Sequence, residues 1–187
     1  MALHFIGILA PGDIQVRVLS WKHYMLQHFG CRNALKSPAH ITLIPPFELE
    51  GEKEEMLKGS LDQFSVGQAD FSIGIRNFSH FGNRVIFAGV EDSPDLEKLQ
   101  TALESWLSAA RLFHLKHAGR PFHPHITIAN RDLKQKDFFA AWDHFRSQTY
   151  SVDFKAGSLS LLLHDGAKWS PVHNSIFHPD LRQLTTK

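Results

Sequence analysis

Two tripeptides, His40-Ile41-Thr42 and His125-Ile126-Thr127, sit at matching places in two similar half-chains. In the first half, Leu3 to Leu9 is an apolar run stopped by Pro11-Gly12, which predicts a buried strand. Asp13 is placed to cap a helix whose apolar residues Ile14, Val18, Trp21, Met25 and Phe29 recur every three or four positions until Gly30. His40 to Ile44 reads as a strand closed by Pro45-Pro46. A helix over 52–64 turns Met56, Leu57, Leu61 and Phe64 inward, and 71–78 alternates as a half-buried strand. The second half repeats the order. Residues 84–90 read as a strand, and Ser93-Pro94 opens a helix with Leu96, Leu99, Leu103, Trp106, Leu107 and Ala110 inward. The strand 125–129 follows, then a helix facing inward through Phe138, Trp142 and Phe145. Further strands are predicted near 150–154, 158–163 and 168–177. From Leu3 to His40 is 37 residues, and from Arg84 to His125 is 41. Equal order at nearly equal offsets predicts an internal duplication, one α+β domain over 1–187 with lobes drawn mainly from 1–80 and 81–187.

The repeat is not compositional noise. With 13 histidines in the chain, about 0.4 His-x-Thr matches are expected by chance and about 0.02 with isoleucine in the middle. Two such matches, each followed by an aliphatic residue and each near a proline (Pro38, Pro124), stand far outside that expectation. In a strand, successive side chains point to opposite faces, so His40 and Thr42 share one face while Ile41 and Leu43 share the other. The same alternation holds for His125 and Thr127. If the lobes are related by a pseudo-twofold axis, the two histidine–threonine pairs converge on one cleft.

Two imidazoles and two hydroxyls around one small volume suit a phosphodiester. Displacement at phosphorus needs a base on the attacking oxygen and an acid on the leaving oxygen, and histidine serves either role near neutral pH. Threonine hydroxyls donate to the non-bridging oxygens as charge shifts onto them. The composition excludes several other classes. A formal charge of +1 and 43% apolar residues do not describe a histone-like basic protein. No run is long enough for a membrane helix, and the N-terminus lacks the basic flank of a signal peptide, so a cytoplasmic location with no membrane partner is expected. The single cysteine, Cys31, forms no internal disulfide.

His123 and His125 suggest a metal pair, but no carboxylate stands beside them in sequence and three or four ligands are the rule; no metal or cofactor is expected. Phe47, Phe81 and Trp169 are candidates for stacking on a base. His114 and His117 read as residues closing the long helix, and Arg120 as a loop residue near the second tripeptide.

These residues resemble the two-histidine phosphoesterase superfamily, which includes the 2′-5′ RNA ligase-like proteins and cyclic nucleotide phosphodiesterases. The resemblance covers essentially the whole chain, through HITLIPPF (40–47), FGNRVIFAGV (81–90) and PFHPHITIAN (121–130). It implies an α+β, bilobal, pseudo-twofold fold, with two antiparallel sheets facing a central cleft and helices outside. It further implies metal-independent action on a 2′,3′-cyclic phosphate or 2′-5′ linkage of a nucleotide or RNA end by a monomer, with ligation as the reverse reaction. His40 and His125 carry over as the acid and base, with His125 activating water, and Thr42 and Thr127 as phosphate hydrogen-bonders. Many members have arginine where this chain has Asn130; continued strand alternation would put Arg131 on the face of His125 instead. A nucleotide- or RNA-binding module without turnover is the alternative that turnover assays separate.

Overall fold

A computed structural model describes residues 1–115 and 121–179 of the chain. The first sheet has the order β2-β1-β7-β8, from β1 (Ala2–Leu9), β2 (His40–Leu49), β7 (Ser158–His164) and β8 (Trp169–Ile176). The second has the order β5-β4-β3-β6, from β3 (Phe71–Phe81), β4 (Val85–Val90), β5 (His125–Ala129) and β6 (Ser151–Ala156). All neighbouring strands run antiparallel. Four helices, α1 (Gly12–Phe29), α2 (Glu54–Ser65), α3 (Pro94–Ala110) and α4 (Phe138–Arg146), cover the sheets.

The two sheets correspond strand for strand. Both tripeptides lie on outermost strands, β2 and β5, next to the first strands of the two repeats, β1 and β4. The helices also correspond. α1 follows β1 but packs on β5 of the other sheet, and α3 follows β4 but packs on β2; α2 and α4 pack against β8 and β3. Edge contacts of Trp21 on Phe78 (4.9 Å) and Tyr150 (4.8 Å) fasten α1 to the second sheet. Burying a residue of that size contributes on the order of 2 kcal/mol.

The expected division of the lobes at residue 80 is not what forms. β3, from the first half, pairs with β4 and β6, while β7 and β8, from the far C-terminal part, complete the first sheet. The β7–β8 hairpin supplies to the first sheet the two strands that β3 and β6 supply to the second. β2 also runs on through Pro45-Pro46 to Leu49, because an edge strand tolerates residues without an amide proton. Asp13 stands in the first turn of α1 without capping it, whereas Ser93 Oγ does accept the Leu96 amide of α3. Met56 (60% exposed) and Trp106 (37%) face outward more than their spacing predicts. α3 ends at Ala110, so His114 lies beyond the helix it was expected to close; His117 and Arg120 lie outside the described residues. No described helix is long and apolar enough to cross a membrane.

Candidate active site

β2 and β5 are facing edges of the two sheets and pack on one another. Ile41, Leu43, Ile126 and Ile128 are buried beneath the helices, while His40, Thr42, His125 and Thr127 keep part of their surface at the cleft. Behind them, the central strands carry Gly7 opposite Thr42 and Gly89 opposite His125. A Cβ at Gly7 would lie 2.5 Å from the Ile41 carbonyl oxygen, and one at Gly89 2.7 Å from that of Arg76. Only glycine lets the backbones approach this closely.

Each histidine is held in the same way. His40 Nδ1 lies 2.7 Å from the Pro38 carbonyl oxygen, and His125 Nδ1 lies 2.7 Å from that of His123. A carbonyl only accepts, so Nδ1 carries a proton in both rings and Nε2 is left to take up or deliver one. Aromatic rings complete the setting. Phe5 lies 4.5 Å from His40, and Phe81 and Phe87 each lie 5.0 Å from His125. Burial disfavours the charged imidazolium. Desolvation therefore lowers the His40 pKa to about 4, with smaller contributions from the charges of Lys22 and His125. Desolvation lowers that of His125 less far, and His123 adds to the effect.

Side-chain brackets fix the segments that enter β2 and leave β5. Gln15 of α1 accepts from the Ala39 amide (2.7 Å) and donates to the Ala39 and Ala10 carbonyls (2.7 and 3.0 Å). Asp132, just past β5, accepts from the amides of Arg32 and Asn33 (2.6 and 2.7 Å), and Asn33 donates to Asn130 (2.8 Å). Thus Asn130 ties the segment after β5 to the turn ahead of β2.

Two expected site residues are placed differently. Arg131 is exposed with φ of 44°, and β5 has already ended at Ala129; no strand carries the alternation that would align it with His125. Phe47 is 2% exposed and stacks on Phe113 at 3.7 Å. Its ring is a wall of the site, and a base could stack on that face only by displacing Phe113. A cavity of about 410 Å³ opens here, walled by Thr42, Phe47, Gln100, Phe122, His123 and His125. Among the described residues, no three His, Cys, Asp or Glu side chains group as metal ligands. Phe5, Phe87, Gln15 and Asp132 were not foreseen, since their roles arise from contacts distant in sequence. Lys22 did leave a signal: it interrupts the apolar stripe of α1, four residues after Val18 and three before Met25.

This duplicated topology, with one histidine–threonine pair on each facing edge strand, is that of the two-histidine phosphoesterases. The family model of the 2′-5′ RNA ligase superfamily matches residues 10–168, and the chain belongs to that family of enzymes. The Geobacillus kaustophilus protein GK0864, which carries a phosphoesterase name, is 31% identical over 171 residues, spanning 88% of this chain and 90% of that one. The RNA 2′,3′-cyclic phosphodiesterase of Escherichia coli K12 is 28% identical over 126 residues, 66% of this chain and 69% of its own. Among solved structures, TT0787 of Thermus thermophilus superposes with a TM-score of 0.69 at 17% identity, over 96% of this chain and 100% of its own. E. coli LigT complexed with 3′-AMP gives 0.65 at 21% identity, over 94% and 98%. These likenesses establish the fold and the phosphoesterase class.

Proposed function

We propose that the chain hydrolyses a 2′,3′-cyclic phosphate, or cleaves a 2′-5′ phosphodiester, on a nucleotide or RNA end, using His40 and His125 as the acid–base pair. The observation that carries this reading is the matched anchoring of the two imidazoles, each with Nδ1 on a backbone carbonyl and each on a facing edge strand. A cyclic phosphodiester bound between them meets one Nε2 on the attacking side and one on the leaving side. The base removes a proton from water as its oxygen bonds to phosphorus. The acid protonates the departing ribose oxygen as the P–O bond breaks, and the product is a phosphomonoester. Thr42 and Thr127, on the same faces as the histidines, donate to the non-bridging oxygens. With a 5′-hydroxyl in place of water, the same steps join that hydroxyl to a 2′,3′-cyclic phosphate: its oxygen bonds to phosphorus at the base, the bond to the 3′ oxygen breaks, and the acid protonates that oxygen.

The two rings differ in basicity. His40 is held neutral more strongly than His125, so a proton brought in with an anionic substrate goes first to His125. This ordering favours His40 as base and His125 as acid, opposite to the assignment implied by the family resemblance. The direct test is turnover of 2′,3′-cyclic nucleotides by the wild type and by His40→Ala and His125→Ala. Each single substitution should lower kcat by about 10²–10⁴, and the double should cost far less than the product of the two. A protein that binds these nucleotides and releases no phosphomonoester would refute the reaction and leave the binding-module reading.

A further inference from the structure

A second groove lies beside His40, between α1, the residues leading into β2 and the start of β8. It encloses about 380 Å³ and is lined by Gln15, Lys22, Lys36, Pro38, Lys168 and Trp169, among others, with no Asp or Glu in its wall. Lys22 is only 3% exposed. Its Nζ donates to the Ser37 carbonyl at 2.8 Å, and among the described residues no carboxylate forms an ion pair with it. Desolvation pulls its pKa down to about 8, which still leaves it mostly protonated at neutral pH. A buried ammonium is ordinarily paired, and this one has protons to spare and an anion-free wall around it. The nearby carboxylate of Asp165 is engaged by the Ala167 and Lys168 amides of its own turn.

The groove adjoins the residues that hold His40. Pro38, in its wall, supplies the carbonyl that holds His40. Trp169 meets Phe5 edge-on at 4.8 Å, and Phe5 lies against His40. Trp169 is half-buried, leaving part of its indole for a base. Cationic and aromatic groups together fit a single nucleic-acid strand, in which phosphates alternate with flat rings.

We propose that this groove is a second phosphate subsite, taking the phosphodiester next to the reacting one, so that the preferred substrate is an oligonucleotide end and not a mononucleotide. Lys22, Lys36 and Lys168 surround the phosphate, and Trp169 offers its ring to the adjoining base. The proposal rests on the phosphodiester reading of the His40–His125 site. Calorimetry compares two product-like ligands, adenosine 3′-phosphate and the dinucleotide ApAp, which adds one internal phosphodiester. The wild type should bind ApAp at least about tenfold more tightly, with an advantage that weakens as salt rises, as expected for a neutralised phosphate. Lys22→Met, and separately Lys36→Ala with Lys168→Ala, should each cut that advantage to less than about threefold and flatten its salt dependence. If Lys22→Met does not fold, the surface double variant decides. Equal affinity for the two ligands, or an advantage surviving both variants, overturns the subsite. Binding separates the two readings. A chain that shows the ApAp advantage but turns over no cyclic phosphate refutes the catalytic reading alone, and one that turns over cyclic mononucleotides without the advantage refutes the subsite alone.

Discussion

The unequal histidines set a pH profile that can be worked out in advance. In the free protein His40 titrates at about 4, and His125 below its ordinary 6.5. With His40 as base and His125 as acid, the reactive form has His40 neutral and His125 protonated. The plot of kcat/KM, which reports the free enzyme, should then be a bell with its acid limb near pH 4 and its alkaline limb below 6.5. At pH 7.5 fewer than about one His125 in ten keeps its proton, so the rate should stand at least about tenfold under its maximum. With the roles exchanged, the bell has the same limbs, but the reactive form is the rarer one, by a factor of ten for each pH unit between the two pKa values. Position alone therefore tests the environment, and the variants test the roles. His125→Ala should remove the alkaline limb from the residual activity, and His40→Ala the acid limb. The measurement is initial rate with a 2′,3′-cyclic nucleotide well below KM from pH 4 to 9, with solvent viscosity varied to show that chemistry limits the rate. An alkaline limb above pH 7.5 would refute the desolvation reasoning, and loss of the opposite limb in each variant would restore the roles that the family resemblance implies.

Three further outcomes follow from the same geometry. His40 takes up its proton only near pH 4 when folded but near 6.5 when unfolded, so the unfolded chain binds more protons between those values. Stability should fall as pH drops through that window, by about 3 kcal/mol at roughly 1.4 kcal/mol per pH unit; denaturant titrations should show His40→Gln losing less over the same range. Thr42→Val and Thr127→Val keep the side-chain shape and remove the donor, and each should lower kcat on the order of 10² while both limbs persist; unchanged rates would remove the hydroxyls from the reaction. Gly89→Ala places a Cβ against the Arg76 carbonyl beside His125 and should cost about 1–3 kcal/mol, with reduced kcat. Gly12→Ala, where nothing lies within 4 Å of the added carbon, serves as its control in thermal unfolding.

Much of the site is local and therefore legible in the chain. A two-residue repeat decides which face of a strand a side chain takes, so His40 with Thr42 and His125 with Thr127 follow from spacing alone. Their matched offsets announce the duplication, and Ser93-Pro94 announces a helix start. Partnership between distant segments is not local. Nothing near β3 says that it joins the second sheet, nor near β7 and β8 that they complete the first, because strand pairing is chosen by which edges remain open once the core has collapsed. The end of β5 at Ala129 likewise depends on Asp132 and Asn130 turning back to meet Arg32 and Asn33, and it moves Arg131 off the face that alternation assigns. Phe47 looks like a stacking platform by position, yet Phe113, 66 residues on in the chain, occupies its ring. Sequence alone determined which residue types face the cleft. Tertiary structure decided how dry each histidine is, and so which holds its proton more tightly, because burial among neighbours such as Phe5, Phe81 and Phe87, and the smaller effect of the Lys22 charge on His40, arise only on folding.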